Sequence, residues 1–155
     1  MGMAKATSLD PARWQLISKS LTYDGGTTNA VGDFNGTGDP ATLFTVTGDV
    51  VVRIVGVCTQ NLTFDVNAAI AVGIGGGSEI IATTDLTSEA MIVREIWHDA
   101  TPDKEIEAWS VLKEFIITDG NDITMETTVA NVTGGVIVFY CFWTPFSSDG
   151  FVVAA

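Results

Sequence analysis

The sequence predicts an all-β fold, either a β-sandwich or a jelly-roll-like barrel of about eight or nine mostly antiparallel strands, with an extended N-terminal arm. Short runs rich in Val, Ile, Thr and Phe recur along the chain, separated by turns rich in Gly, Asp and Asn, which is the pattern of many short strands. The longest apolar run, residues 136–143, has the length of a strand. We therefore expect an arm at 1–40 and one β domain at 41–155.

The first 40 residues differ from the rest because turn-forming residues are dense in them, as at 24–26, 35–36 and 38–40. Their one short apolar stretch, residues 14–21, fits either a strand or a helical turn. We interpret the region as an extended arm or a set of loops, of the kind that becomes ordered on a partner.

The first half of the β domain reads as a series of strands. Residues 41–47 alternate, residues 50–58 are rich in β-branched side chains, and Gly48-Asp49 between them predicts a hairpin. Further strands are indicated by alternation or by short apolar runs at residues 68–74, 79–83 and 91–97.

The C-terminal third predicts a second hairpin, formed by residues 115–118 and 123–129 around an Asp-Gly turn, and then a central strand at 136–143. Sequential strands of this kind indicate a β-meander. Residues 98–111 fit two structures. The hydroxyl, proline and acid at 101–103 are typical of a helix start, but the region also alternates, so we expect a short helical turn leading into a strand.

The charge of the chain excludes several partners. The formal net charge is −12, and residues 41–155 carry fifteen acidic and four basic side chains. Such a protein is repelled by nucleic-acid phosphates and by anionic lipid. No apolar run approaches the ~20 residues of a membrane span. We expect neither nucleic acid nor membrane as a partner.

The two cysteines, Cys58 and Cys141, lie inside apolar runs, which favours two buried thiols over a disulfide. Two cysteines with one histidine make a zinc site improbable. The alternating oxygen-bearing residues of 33–39 resemble half of a calcium loop, but the closing glutamate is missing. The glycine-rich residues 72–77 lead into a strand, whereas a phosphate loop precedes a helix. We expect no metal and no cofactor.

Two arrangements of side chains could carry catalysis. His98 precedes Asp99, but no G-x-S-x-G nucleophile is present. Glu105, Glu107 and Glu114 could form an acid pair, but a solvated face that keeps the chain soluble is the simpler interpretation. We expect no enzyme activity.

Aromatic side chains could stack on sugar rings or could form the core and a subunit interface. The second interpretation is favoured for the set as a whole, which consists of Trp97, Trp109, Trp143, Phe139, Tyr140, Phe142 and Phe146.

Three segments, residues 46–58, 95–100 and 140–145 with Asp149-Gly150 behind them, resemble small virion structural proteins of tailed bacteriophages, of the type that decorates or cements a capsid. The resemblance covers about residues 41–150. It implies a structural role in the virion, assembled in the host cytoplasm, with the major capsid protein or another virion protein as partner and with self-association, expected as a homotrimer.

The residues expected to bind the partner are the basic and aromatic side chains of the arm, Lys5, Arg13, Trp14 and Lys19, together with Trp109. The alternative is a carbohydrate- or receptor-binding β module of a phage particle, in which Trp109 or Trp143 stacks on the ligand. A third hypothesis is a hydrolase that uses an unrecognised acid pair.

Overall fold

The fold is all-β, as the sequence predicts, and its strands form two antiparallel sheets. The computed structural model describes residues 14–24, 40–118 and 120–155. Along these ranges the strands are β1 Gln15–Tyr23, β2 Ala41–Thr47, β3 Val50–Phe64, β4 Ala69–Ile74, β5 Ile81–Asp85, β6 Glu95–Trp97, β7 Asp103–Lys104, β8 Phe115–Ile117, β9 Ile123–Thr128, β10 Val132–Pro145 and β11 Phe151–Ala154.

The strand pairing is that of a jelly roll. Sheet A has the order β1-β10-β3-β6-β7, with β8 also paired to β3, and sheet B has the order β11-β2-β9-β4-β5. The pairs β1–β10, β2–β9, β3–β8 and β4–β5 are nested one inside the next. This nesting arises when one long antiparallel hairpin is rolled into two packed sheets.

Both predicted hairpins, and with them the meander, are wrong, because each pair of strands is divided between the two sheets. Between β2 and β3, where the chain passes from sheet B to sheet A, the backbone N–H of Asp49 donates to Ser147 Oγ at 2.8 Å. The carbonyl of Asp49 accepts from Phe146 N at 2.9 Å. These bonds hold the chain against the end of β10 and prevent β3 from folding back on β2. Between β8 and β9, where the chain passes from sheet A to sheet B, Asp122 Oδ1 accepts a hydrogen bond from Val46 N at 3.0 Å.

Part of the predicted N-terminal arm belongs to the β domain. Strand β1 pairs with β10 over nine residues, from Gln15 opposite Trp143 to Tyr23 opposite Gly135. The Lys19 ammonium donates to the carbonyl of Ala155, which ties β1 to the end of β11. The apolar stretch at 14–21 is therefore a strand. The remainder of the arm, residues 1–13 and 25–39, lies outside the described residues, as does the calcium-like pattern at 33–39.

The core lies between the two sheets and includes large side chains of both, such as Trp97 and Phe139 of sheet A and Phe44 of sheet B. Trp97 is fully buried, packs edge-on against Phe139 with ring centroids 6.0 Å apart, and donates from Nε1 to Thr84 Oγ1 at 2.8 Å. Gly56 lies opposite Trp97 in the ladder, where a Cβ would meet Ile137 at 3.0 Å. Glycine at this position makes room for the two rings, and Trp97 joins sheet A to β5 of sheet B.

Strands β6 and β8 form one interrupted strand alongside β3, because they pair with Val57–Gly56 and with Val52–Val50 respectively. The residues between them, 98–114, form an insertion. The predicted helical turn is a 3₁₀ turn at Trp109–Val111, later in the chain than expected. Thr101 does not cap a helix, because its hydroxyl and N–H both donate to Asp99 Oδ1, at 2.9 and 2.8 Å.

The cysteines are free and buried, as expected. In the β3–β10 ladder Cys58 is opposite Ile137 and Cys141 is opposite Ile54. The two cysteines are thus offset by four residues along the ladder, which separates their Cα atoms by about 13 Å along the strands. This distance is too long for a disulfide.

Burial raises the pKa of the Cys141 thiol to about 12 and also raises that of Cys58, from an ordinary value of 9.0. Because the unfolded chain releases these protons first, stability is retained below pH 9 and falls as the pH rises toward 12. For Cys141 we expect a loss of about 2 kcal/mol between pH 8 and 10.5, measured by urea denaturation. The control is Cys141→Ala, whose pH profile should be flatter. An unchanged slope in the variant would contradict the assignment.

Candidate partner-binding site

The outer face of sheet A, turned away from sheet B, is apolar over its central strands. The register places Phe142 beside Arg53, Tyr140 beside Val55, and Thr144 beside Val51. Alternate residues of a strand share a face, and the intervening residues of β3 and β10 belong to the core. The face that solvent would ordinarily contact therefore carries valines and aromatic rings.

Arg53 lies at the centre of this face between two tryptophans. Its guanidinium carbon is 5.8 Å from the ring centroid of Trp14 and 5.0 Å from that of Trp109, within the range of a cation–π contact. Arg53 Nη2 also contacts Glu114 Oε1 at 2.5 Å. These four side chains, here called the Arg53 ridge, fix the orientation of both indole rings.

One groove on this face has a volume of about 340 Å³ and lies on the Trp14 side of the ridge. Leu16, Ile116 and Phe146 are 50–59% exposed there or beside it. Large apolar side chains that are half exposed and clustered on one face are typical of an interaction surface. The groove is lined by Trp14, Val51, Glu114, Phe115, Ile116, Thr144 and Phe146.

A second groove, of about 230 Å³, lies under the insertion of residues 98–114. Trp109 packs edge-on against Phe142 with centroids 4.7 Å apart and is 51% exposed. Leu112 is buried against the sheet. The insertion thus covers part of the outer face and presents the Trp109 ring. The lining consists of Val55, Val57, Ile96, Glu107, Ala108, Trp109, Leu112, Tyr140 and Phe142.

The structure brings together two of the five residues expected to bind a partner, Trp14 and Trp109. Lys19 lies elsewhere, because its ammonium contacts Ala155 at the joint between the two sheets. Lys5 and Arg13 lie outside the described residues. Sequence reasoning missed Arg53, whose signal was a single charge inside the apolar run 50–58.

The remaining aromatic side chains divide between the core, as part of the favoured interpretation predicted, and the outer face of sheet A. Trp97 and Phe139 are core residues, and Trp143 is buried with its ring edge-on to Phe151 at 5.4 Å. A buried Trp143 cannot stack on a ligand, so that part of the alternative is wrong. Tyr140 and Phe142 lie on the outer face.

A second cluster of polar side chains lies at the base of the insertion. His98 Nε2 is 3.0 Å from Glu107 Oε2 and 4.0 Å from Asp103 Oδ2, and His98 Nδ1 is 3.7 Å from Asp99 Oδ2. The His98 side chain is only 7% exposed and that of Glu107 17%. The hydrogen bond from Asp103, together with that from His98, lowers the pKa of Glu107 to about 2, while the contact with Glu107 raises the pKa of Asp103.

Glu105, Glu107 and Glu114 do not form an acid pair with one another, because each glutamate has a different partner. Glu105 pairs with Arg94 at 3.3 Å, Glu107 with His98 and Glu114 with Arg53. Carboxylates face both ring nitrogens of His98, so neither nitrogen is directed at a hydroxyl nucleophile.

Two backbone N–H groups at the glycine-rich turn between β4 and β5 have hydrogen-bond partners within the protein. Gly76 N donates to Thr124 Oγ1 at 2.9 Å, and Ile74 N donates to Glu79 Oε2 at 3.2 Å. These N–H groups are therefore not directed at a phosphate, and the Glu79 carboxylate would repel one.

Comparison of the chain with protein-family models, with curated protein sequences and with solved structures gave no match. Among the residues that the structure describes, no helix has the length and apolarity required to cross a membrane.

Proposed function

We propose that this chain is a structural virion protein of a tailed bacteriophage, which decorates or cements the capsid through protein–protein contacts and has no catalytic role. The observation that carries the proposal is the apolar outer face of sheet A, where Leu16, Trp109, Ile116 and Phe146 are half exposed around the Arg53 ridge. Aromatic and arginine side chains are enriched in protein interfaces.

Two further observations support a virion role. Jelly rolls are used by viral capsid proteins, although they are also used by lectins and cupins, so the fold alone does not decide the function. Segments 46–58, 95–100 and 140–145 resemble tailed-phage virion proteins, and most of their residues lie in β3, β6 and β10 of sheet A. The partner we propose is the major capsid protein or another virion protein, bound by a homotrimer of this chain.

The proposal is tested by adding purified protein to capsids assembled from the major capsid protein of the same phage. The double variant Ile116→Asp with Phe146→Asp should weaken binding at least about 100-fold, because two charges replace central apolar contacts. Val66→Asp is the matched control, since Val66 is 73% exposed in the turn after β3. Equal binding by the double variant and the control would overturn the proposed surface.

A second experiment tests the proposed docking arm and the trimer. Deleting residues 1–40 would remove β1 from sheet A, so the informative truncation is residues 1–13, which removes Lys5 and Arg13 but retains β1. We expect it to abolish capsid binding. Light scattering should give three times the 16.4 kDa chain mass. A truncated protein that still saturates capsids contradicts the docking arm, and a monomer contradicts the homotrimer.

The second candidate is a carbohydrate- or receptor-binding module, favoured by the Trp109 ring, which is half exposed and held by Phe142 and Arg53. A fixed aromatic ring beside carboxylates such as Glu107 suits a sugar ring, which has an apolar face and hydroxyl groups. Under this reading Trp109→Ala abolishes binding to a glycan array, while the double variant at Ile116 and Phe146 retains it.

A further inference from the structure

The side chains at the base of the insertion carry more negative charge than their surroundings neutralise. Asp103 and Glu107 are close enough to share a hydrogen bond, and Asp99 lies on the other side of the same imidazole. Nearby basic side chains face other acids, since Arg94 pairs with Glu105 and Lys104 faces Glu95. Two ionised carboxylates in contact repel each other unless a proton or a cation lies between them.

The possible donor atoms are an imidazole nitrogen and two carboxylate oxygens, and they lie close together. His98 Nε2 and one oxygen each of Asp103 and Glu107 all lie within 4.8 Å of one another. Donors about 2.0–2.2 Å from a tetrahedral ion are about 3.4 Å apart, so the longest separation must shorten. The side chain of Asp103, which is 57% exposed, is the one that would move inward.

A second feature of His98 is independent of these three donors. The ring is nine-tenths buried, and its other nitrogen, Nδ1, faces the Asp99 carboxylate at 3.7 Å. Histidines that bind metals commonly have a carboxylate or carbonyl at the non-ligating nitrogen, which fixes the tautomer and the ring orientation. Asp99 itself is held by Thr101, which donates to its other oxygen, Oδ1.

We propose that His98, Asp103 and Glu107 bind a divalent first-row transition-metal ion such as Zn²⁺, with Asp99 orienting the imidazole and a fourth position open to water. The imidazole nitrogen favours Zn²⁺ over Ca²⁺ and Mg²⁺, which take oxygen ligands. Because His98 follows β6 and Glu107 precedes the 3₁₀ turn, the ion joins both ends of the loop 98–107. This inference does not depend on the proposed virion function.

The test is titration of the untagged full-length chain with ZnCl₂, followed by calorimetry and by thermal unfolding. We expect one ion per chain and a rise in Tm of about 5 °C or more at a hundredfold excess over Kd. CaCl₂ and MgCl₂ at the same concentration should shift Tm by less than about 1 °C. The absence of zinc binding, or an equal shift with Ca²⁺, would overturn the proposal.

Variants then locate the ion. Asp103→Asn changes an exposed ligand and should still fold, and it should weaken Zn²⁺ binding at least about tenfold, as should Glu107→Gln. Glu105→Gln is the matched control, because it removes an exposed carboxylate of the same loop that pairs with Arg94. Its Kd should stay within about twofold of the wild-type value. Wild-type affinity in both ligand variants would place the zinc elsewhere and overturn the assignment.

Discussion

Replacing Trp97 with alanine should lower the free energy of unfolding by about 4 kcal/mol, because truncation of a fully buried aromatic side chain leaves a cavity. Trp97 is completely inaccessible to solvent and lies opposite Gly56, which has no side chain of its own to fill the space. Its Nε1 bond to Thr84 links sheet A to β5 of sheet B. The variant therefore loses both packing and a buried hydrogen bond between the sheets.

Urea denaturation followed by circular dichroism measures this loss. The matched control is Trp109→Ala, the same substitution at a ring that is 51% exposed, for which we expect about 1 kcal/mol or less. Trp97→Phe should recover part of the stability because it retains a ring against Phe139. If Trp97→Ala and Trp109→Ala were equally destabilising, the assignment of Trp97 to the core would be contradicted.

Strand identity could be predicted from the sequence because it depends on local pattern. Residues 41–47 alternate and form β2, and the apolar run 136–143 lies within β10. Strand pairing could not be predicted in the same way. A two-residue Gly48-Asp49 turn is typical of a hairpin, but bonds from Asp49 to Ser147 and Phe146, nearly 100 residues away, direct the chain into the other sheet.

The candidate site could be predicted only in part, and for a related reason. Trp14 and Trp109 were both predicted to bind a partner, but their proximity across Arg53 could not be predicted, because it depends on strand pairing. Nothing local indicates that Val51 and Val55, on the outward-facing side of a long β-branched strand, are buried by other segments. The His98 cluster was missed because its donors come from a segment that fits helix and strand equally well.

The two sites share one structural element, the insertion between β6 and β8. Residues 98–107 carry His98, Asp103 and Glu107, and Trp109 follows two residues later, packed against Phe142. An ion bound at the base of the insertion would restrict the loop that leads into the 3₁₀ turn, and so would limit the positions available to the Trp109 ring. A preorganised ring loses less conformational entropy when it binds a partner.

Replacing Gly73 with alanine should lower the free energy of unfolding by about 3 kcal/mol, because the added methyl group would meet backbone. The turn after β4 folds back over this residue, and a Cβ there would lie 2.3 Å from the carbonyl carbon of Gly77 and from a Glu79 carboxylate oxygen. The side chain of Glu79 can move, but the Gly77 backbone is held by its hydrogen bond to Ile74. The turn must therefore open.

Gly75→Ala in the same turn separates this steric effect from the ordinary cost of replacing glycine. Gly75 has φ +58° and open space around its Cβ position, so alanine there meets only the conformational penalty of about 1 kcal/mol. Urea denaturation of the two variants should differ by about 2 kcal/mol, and Gly73→Ala should also weaken the Gly76–Thr124 bond between the turn and β9. Equal losses would mean that the turn relaxes freely and that the close approach to Gly77 does not require glycine at position 73.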